Sequence, residues 1–437
     1  MWANVRSRWR RSRRVLFSAP KWRQHSVFWG GGAIIGIVAV AFAYLADLAL
    51  DMLKVVTGWS PYAMLLISPA GFVLLVYLTE RFFQGSQGSG IPQTIAARQI
   101  VAPAGRRALL SLRLAVGKVG LTVLGILAGA SVGREGPTVQ VGAAIMHEMG
   151  RLGGRRYEGL LLAGGAAAIA AAFNTPVAGI VFAIEELSRS FEQRNSWLVF
   201  SSVIVAGLVS LALVGNYTYF GHSDAVLAGW EMWAVVPICG LAGGLLGGMF
   251  SRLVIMFAFG DRRPFLRGLL RHKLAFAAIC GLLVAVVGVL TGGATYGTGY
   301  EQARSLLEGG QSPDQWFGIA KLATTLLSTI SGIPGGIFSP SLAVGAGLGH
   351  HVSWLFPEVP MGAVILLGMA GYFTGVVQAP ITAVVIILEM TASNTMTLPL
   401  MVTVLIALAA SKLVCPQPIY HALAGRYLKN VGEVRER

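Results

Sequence analysis

The chain of 437 residues is 55% hydrophobic and only 12% charged, with a mean hydropathy of +0.67. Soluble domains carry about 25% charged residues, so these values exclude a soluble enzyme or binding module and indicate a polytopic membrane protein. The formal charge of +15 does not mark a nucleic-acid binder, because the basic residues cluster between apolar stretches and at the ends.

Residues 1–26 form a basic arm holding Arg6, Arg8, Arg10, Arg11, Arg13, Arg14, Lys21 and Arg23, directly before an apolar run from Val27. Basic residues beside a span stay in the cytoplasm, so the N-terminus is predicted there. A signal peptide is the weaker reading, since the arm is long and Trp-bearing and no soluble mature domain follows. Residues 27–215 form a first membrane repeat, with apolar segments at 27–50, 62–83, 108–132, 137–150, 159–173, 176–190 and 196–215. No Lys or Arg occurs between Arg194 and Arg252, so the connector 216–231 is predicted to be external. A second repeat, 232–415, contains segments at 232–260, 273–292, 316–331, 340–356, 361–376, 380–392 and 396–415. Its basic loop (Arg262, Arg263, Arg267, Arg271, Lys273) marks a return to the cytoplasm, as does the short C-terminal segment 416–437. Several segments are shorter than the roughly 20 residues of a full span. With 56 glycines and no strand-like alternation, they predict an all-α bundle with broken and half-spanning helices buried in protein. Cys239, Cys280 and Cys415 lie in or beside apolar segments without a CxxC pair and are expected to be inert core residues.

The halves repeat each other. Gly133-Arg134-Glu135-Gly136-Pro137-Thr138 matches Gly336-Ile337-Phe338-Ser339-Pro340-Ser341, an offset of 203. Gly88-Ser89-Gly90-Ile91-Pro92-Gln93 matches Gly297 to Gln302, and Asn174-Thr175-Pro176-Val177 through Glu185 matches Gln378-Ala379-Pro380-Ile381 through Glu389. The charge pattern makes the second half run opposite to the first, and an inverted repeat places a substrate site near the midplane among helix ends. The proline of each central motif is expected to open a helix, where its missing N–H costs nothing. The free N–H groups there suit an anion.

Five readings concern chemistry. Glu135, between two apolar stretches, is costly as an isolated ion. Helix amides can hold it as a mimic of a bound halide, released on protonation; the plainer readings are a solvated loop acid or a structural pair with Arg134. Phe338 occupies its repeat position, so the half-helix does not need the acid. Glu185 has a repeat mate, Glu389, and reads as structural, an interfacial anchor, whereas Glu186 is matched by Met390 and stands alone. Glu186 lies about 15 Å along its helix from Pro176, by the 1.5 Å rise per residue. Ser89 is the one hydroxyl of its Gly-Ser-Gly break, Tyr420 alone reads as a belt residue, and Lys118 reads equally as a source of positive potential or as packing.

GSGIP at 88–92, GREGP at 133–137, GGIFSP at 335–340 and the late Tyr420 together resemble the signature set of the CLC chloride channel and transporter family, over nearly the whole membrane region. The resemblance implies a homodimer with one anion pathway per subunit. It also implies a central chloride held by the Ser89 and Tyr420 hydroxyls and the Ile337 and Phe338 amides. Glu135 matches the family's external gating glutamate, and Glu186 its internal proton-transfer glutamate, typical of the exchanger branch. The family's channels usually replace that second acid with an apolar residue. Proline at the Ser89 position is associated with nitrate preference. The paired cytoplasmic nucleotide-sensing domains of many members are expected to be absent, since only about 20 residues follow the last span. The expected function is chloride/proton antiport in a bacterial inner membrane, with both termini cytoplasmic and no cofactor, metal or nucleic acid. A passive chloride channel of the same fold is the alternative. An intramembrane enzyme using Ser89 finds no partner motif in this sequence.

Overall fold

The computed structural model describes residues 19–152, 159–188, 196–215, 218–223, 225–227, 229–260, 264–310, 314–393 and 395–433. Arg6 to Arg14, Arg194, Arg262 and Arg263, on which part of the orientation reading rests, lie outside the described residues, as do residues 434–437.

The first half comprises α1 (Ala19–Trp59), α2 (Met64–Phe82), α3 (Ile91–Gln99), α4 (Pro103–Leu109), α5 (Leu112–Leu127) and α6 (Glu135–Leu152). It continues with α7 (Leu160–Phe173), α8 (Pro176–Phe182), a π turn (Ala183–Ser188) and α9 (Ser196–Val214). In the second half follow α10 (Val235–Ala258), α11 (Pro264–Arg271), α12 (Lys273–Leu290), α13 (Tyr300–Leu307) and α14 (Phe317–Ile330). Then come α15 (Phe338–Ser353), α16 (Met361–Val377), α17 (Pro380–Thr391) and α18 (Thr397–Val414), with α19 (Ile419–Glu433) after them. Among the described residues the only β pairing is two isolated bridges.

Among the described residues seven helices are long and apolar enough to cross a membrane, and α7, α14, α16 and α17 are shorter apolar helices. Every residue of α7 is buried, as a short apolar helix with broken ends must be when lipid cannot satisfy its terminal backbone groups. α1 is longer than its apolar run, 41 residues from Ala19, so the boundary drawn at residue 27 falls inside a helix.

Each half is built the same way. α6 packs on α7 as α15 packs on α16, and α1 packs on α9 as α10 packs on α18. Both α6–α7 and α15–α16 contacts are backbone-close at glycine. A Cβ on Gly142 would lie 2.4 Å from the Gly164 carbonyl oxygen, and one on Gly345 would lie 2.6 Å from that of Gly368. Small residues let helix backbones approach where lipid supplies no hydrophobic drive between them. Between the halves, equivalent helices meet: α2 packs on α12 and α8 on α17. Gly133 and Gly336, equivalent residues, exchange two N–H···O bonds of 2.7 Å in an antiparallel bridge. Equivalent residues that pair antiparallel run in opposite directions about a local two-fold, as in an inverted repeat.

Candidate functional site

The breaks that open the half-helices converge at this two-fold. Gly88 and Gly297 adopt left-handed backbones with φ 64° and 63°, and Gly90 and Gly299 do so with φ 103° and 76°. Only glycine reaches these angles without penalty, which is why the motif recurs. Gly88 N–H donates to Ile333 O at 3.1 Å, and Gly297 N–H to the equivalent Ala130 O at 3.2 Å. Lys118 is fully buried and donates to the carbonyls of Ser86, at 2.6 Å, and Gly88. Its counterpart Lys321 donates to Thr295 O at 2.8 Å and Gly297 O at 2.7 Å. Lys118 is therefore a clamp that fixes the Gly-Ser-Gly loop, and the packing reading of this residue holds. Its mate in the second half is a repeat match that spacing alone offers but the motifs do not.

Glu135 is fully buried at the start of α6. Its Oε1 accepts from Ser339 Oγ at 2.6 Å and makes a long 3.5 Å contact with the Tyr219 hydroxyl. Its Oε2 has no hydrogen-bond partner, and a Cβ on Gly133 would come within 2.4 Å of it, so glycine there leaves the carboxylate its space. The solvated-loop reading of Glu135 fails on burial. The pair with Arg134 is not formed either: Arg134 donates to Ala43 O at 2.7 Å and to Asp47 Oδ1 at 2.8 Å, both on α1. The prolines also differ from expectation. α6 begins at Glu135 and α15 at Phe338, so Pro137 and Pro340 are third in their helices, still among the four positions whose N–H has no intrahelical acceptor.

Ser89 and Tyr420 are brought together. Both are buried, and their hydroxyls lie near enough to interact. Tyr420 also lies within electrostatic reach of Glu186 and Glu135. Ile337 and Phe338 occupy the N-cap and first position of α15, where N–H groups are free of intrahelical bonds. The Phe338 ring itself is packed between Phe173, Phe182 and Phe373, with centroids 5.4, 6.0 and 4.4 Å away, which leaves its backbone as the polar face. A Cβ on Gly136 would lie 2.2 Å from Ser89 Oγ, so α6 meets the hydroxyl with bare backbone. Ser89, Ile337 and Tyr420 line a vestibule of about 790 Å³ that also carries Glu80, Lys273 and Arg426. Neither Glu135 nor Phe338 lines it. Two buried hydroxyls beside a helix N-terminus fit a small anion reached from the vestibule.

The two adjacent acids separate. Glu185 accepts from Ile381 N–H at 3.1 Å and Thr382 N–H at 2.6 Å, the start of α17. Glu389 accepts from Val177 N–H at 3.1 Å and Ala178 N–H at 2.7 Å, the start of α8. Each half thus caps a helix of the other, and the structural reading of the pair stands as a cross-repeat cap rather than an interfacial anchor. Hydrogen bonds to a charged group contribute about 1.5–3 kcal/mol each. Glu389→Gln is therefore expected to lower thermal stability, read by fluorescence-detected gel filtration after heating, and to leave the proton-to-chloride ratio in liposomes unchanged.

Glu186 is 1% exposed. It does not lie on a straight α-helix from Pro176, because the helix widens into the π turn at Ala183. Its carboxylate Oε1 lies 3.5 Å from His421 Nε2. Sequence reasoning assigned no role to Ser339, Tyr219 or His421. Ser339 sits inside the quoted GGIFSP motif, so its hydroxyl was visible, but its partner Glu135 is 204 residues away. Tyr219, in the predicted external connector, offered no pattern at all.

Broken helices, an inverted repeat and helix ends converging on buried hydroxyls and acids define a membrane protein built around an ion pathway. The family described as voltage gated chloride channel matches residues 71–412, and the chain belongs to it. It is 31% identical over 441 residues to the H(+)/Cl(-) exchange transporter ClcA of Yersinia pestis bv. Antiqua (strain Angola), covering 92% of this chain and 87% of that one. With the H(+)/Cl(-) exchange transporter ClcA of Vibrio vulnificus (strain YJ016) it shares 31% over 437 residues, covering 91% and 88%. The crystal structure of a slow cyanobacterial Cl−/H+ antiporter superposes with TM-score 0.80 at 25% identity, over 93% of this chain and 98% of that one. A CLC-type fluoride/proton antiporter, at 24% identity and TM-score 0.76 over 91% and 97%, shares the fold.

Proposed function

We propose that this protein is a secondary active antiporter that exchanges chloride for protons across a bacterial inner membrane, acting as a transporter and not an enzyme. The observation that carries the reading is the pair of buried carboxylates, Glu135 and Glu186. A passive pore has no use for two acids buried away from water, where each is costly as an ion. The names of the ClcA relatives support the same reading.

In this reading chloride enters from the vestibule and is held by the Ser89 and Tyr420 hydroxyls and the amides of Ile337 and Phe338. Glu135 as a carboxylate competes for the anion path while Ser339 holds its Oε1. On protonation it loses its charge, yields the path to chloride and carries the proton. Glu186 exchanges that proton with the cytoplasmic side. The vestibule carries Lys273 and Arg426, which fits a cytoplasmic mouth with both termini on that side. Tyr219, from the connector, contacts Glu135, which fits an external gate. The protein works as a homodimer in the lipid bilayer, with one pathway in each subunit formed by membrane repeats 27–215 and 232–415. The test is purified protein in liposomes with chloride and proton movement recorded together: a proton gradient shifts the chloride reversal potential of an antiporter and leaves that of a channel unmoved.

Ser89 also sets an expectation about selectivity. Ser89→Pro removes a hydroxyl donor, and one neutral hydrogen bond contributes about 0.5–1.5 kcal/mol, roughly two- to tenfold in relative affinity. Competition fluxes should shift toward nitrate and coupled chloride transport should weaken. An unchanged anion ranking assigns the choice to the Ile337 and Phe338 amides instead.

A further inference from the structure

Glu186 is 2% exposed at its side chain, so a proton needs a carrier to reach it from water. The residue after Tyr420 on α19 stands in that position. His421 Nε2 is 3.0 Å from the Glu186 backbone oxygen and 3.5 Å from its carboxylate Oε1. A carbonyl oxygen only accepts, so Nε2 carries the hydrogen and donates it to that carbonyl, with the carboxylate Oε1 the next acceptor at 3.5 Å. The imidazole side chain is 21% exposed, and it does not line the anion vestibule. It therefore bridges the buried acid and the surface by a route separate from that of chloride. The turn that presents Glu186 is held from the other side: Arg98 on α3 donates to Leu187 O and lies 3.4 Å from Ser188 Oγ. A π turn inside an α-helix is often found at functional sites, and here it is pinned between α3 and α19.

We propose that His421 is a proton-transfer residue that feeds Glu186, an inference that rests on the antiport reading above. The imidazolium Nε2–H bond breaks, an O–H bond forms at Glu186 Oε1, and a neutral ring and a neutral carboxylic acid result. The neutral ring, now carrying its hydrogen on Nδ1, rotates to bring the vacant Nε2 to water, takes a proton there and returns; the reverse sequence carries protons the other way. With an ordinary value of about 6.5, imidazole is matched to shuttling near neutrality. Other ionisable groups lie on the elements around the ring: Arg98 on α3, Arg252 on α10, Tyr372 on α16, and Glu185 and Glu186 in the π turn. Glu185 is committed to the α17 start.

The test uses full-length protein in liposomes, with proton flux driven by a chloride gradient. His421→Ala is expected to lower proton flux by about tenfold or more, below the usual span of general acid–base contributions because water partly substitutes. Added imidazole should restore it, with Glu186→Gln liposomes given the same imidazole as the blank. His421→Gln keeps a donor and a similar volume, and should lose proton flux to the same extent. It should also flatten the pH profile of proton flux, since glutamine has no titrating group. Chloride flux in a Glu135→Ala background reports packing and should change less than twofold when His421→Ala is added. Unchanged proton flux overturns the proposal, and so does a loss that imidazole does not restore and that chloride flux shares. If Glu186→Gln still pumps protons, the antiport reading of Glu186 fails and this inference falls with it. If Glu186→Gln stops protons and His421→Ala does not, only the role of His421 is lost.

Discussion

Glu135→Ala is expected to end proton movement while chloride flux continues and becomes insensitive to pH. The side chain is fully buried, with Oε1 on Ser339 Oγ at 2.6 Å and Oε2 against bare backbone at Gly133. Among the described residues it makes no salt bridge, since Arg134 pairs with Asp47, although the Arg134 charge still acts on it. The carboxylate competes with whichever anion shares its space. Alanine removes both the proton carrier and the competing carboxylate, so the anion path stays open at every pH. Gln keeps the shape and hydrogen-bonding capacity but cannot carry a proton, so it should uncouple as well, with slower chloride flux than the alanine variant. Proton flux should fall at least about a hundredfold, the low end of what a positioned acid–base group contributes. Simultaneous proton and chloride recording in liposomes decides it. Uphill proton pumping by Glu135→Ala would remove the residue from the mechanism.

The duplication was legible because backbone demands repeat even where side chains diverge. Gly88 and Gly297 need the same left-handed backbone, and so do Asn174 and Gln378, at φ 55° and 60° before Pro176 and Pro380. Asn is the commoner occupant of that conformation, and the Gln378 amide is held to Cys415 O at 2.7 Å. The repeat also separated Glu185 from Glu186 by asking which acid has a mate. It could not reveal that each mate caps the opposite half, since those bonds span 196 and 211 residues. Lys118 and Lys321 share the same offset as the central motifs. Their common task, gathering loop carbonyls, is visible only once the loops are folded. Ser339 and Tyr219 escaped for the same reason: what matters about them is a contact with Glu135 across the two-fold. Helix starts were misplaced by two residues because proline is tolerated anywhere in a first turn, so its position bounds the start without fixing it.

Two neighbouring glutamates of one turn should give opposite phenotypes. Glu185 spends its carboxylate on two backbone N–H groups and the Thr382 hydroxyl; its charge is consumed in holding α17. Glu185→Gln should weaken this cap by about 1.5–3 kcal/mol for each charged hydrogen bond lost, lowering yield and thermal stability while the surviving protein stays coupled. Glu186 has an apolar counterpart in Met390 and lies 3.5 Å from the His421 imidazole. Glu186→Gln is nearly isosteric and should leave folding and chloride movement intact. It cannot accept a proton, so proton transport should drop at least about a hundredfold. Measuring both variants in one liposome assay, with melting curves on the same preparations, sets the two effects side by side. Lost coupling in Glu185→Gln with normal coupling in Glu186→Gln would reverse the assignment, and the proton route would then run through the cross-repeat cap.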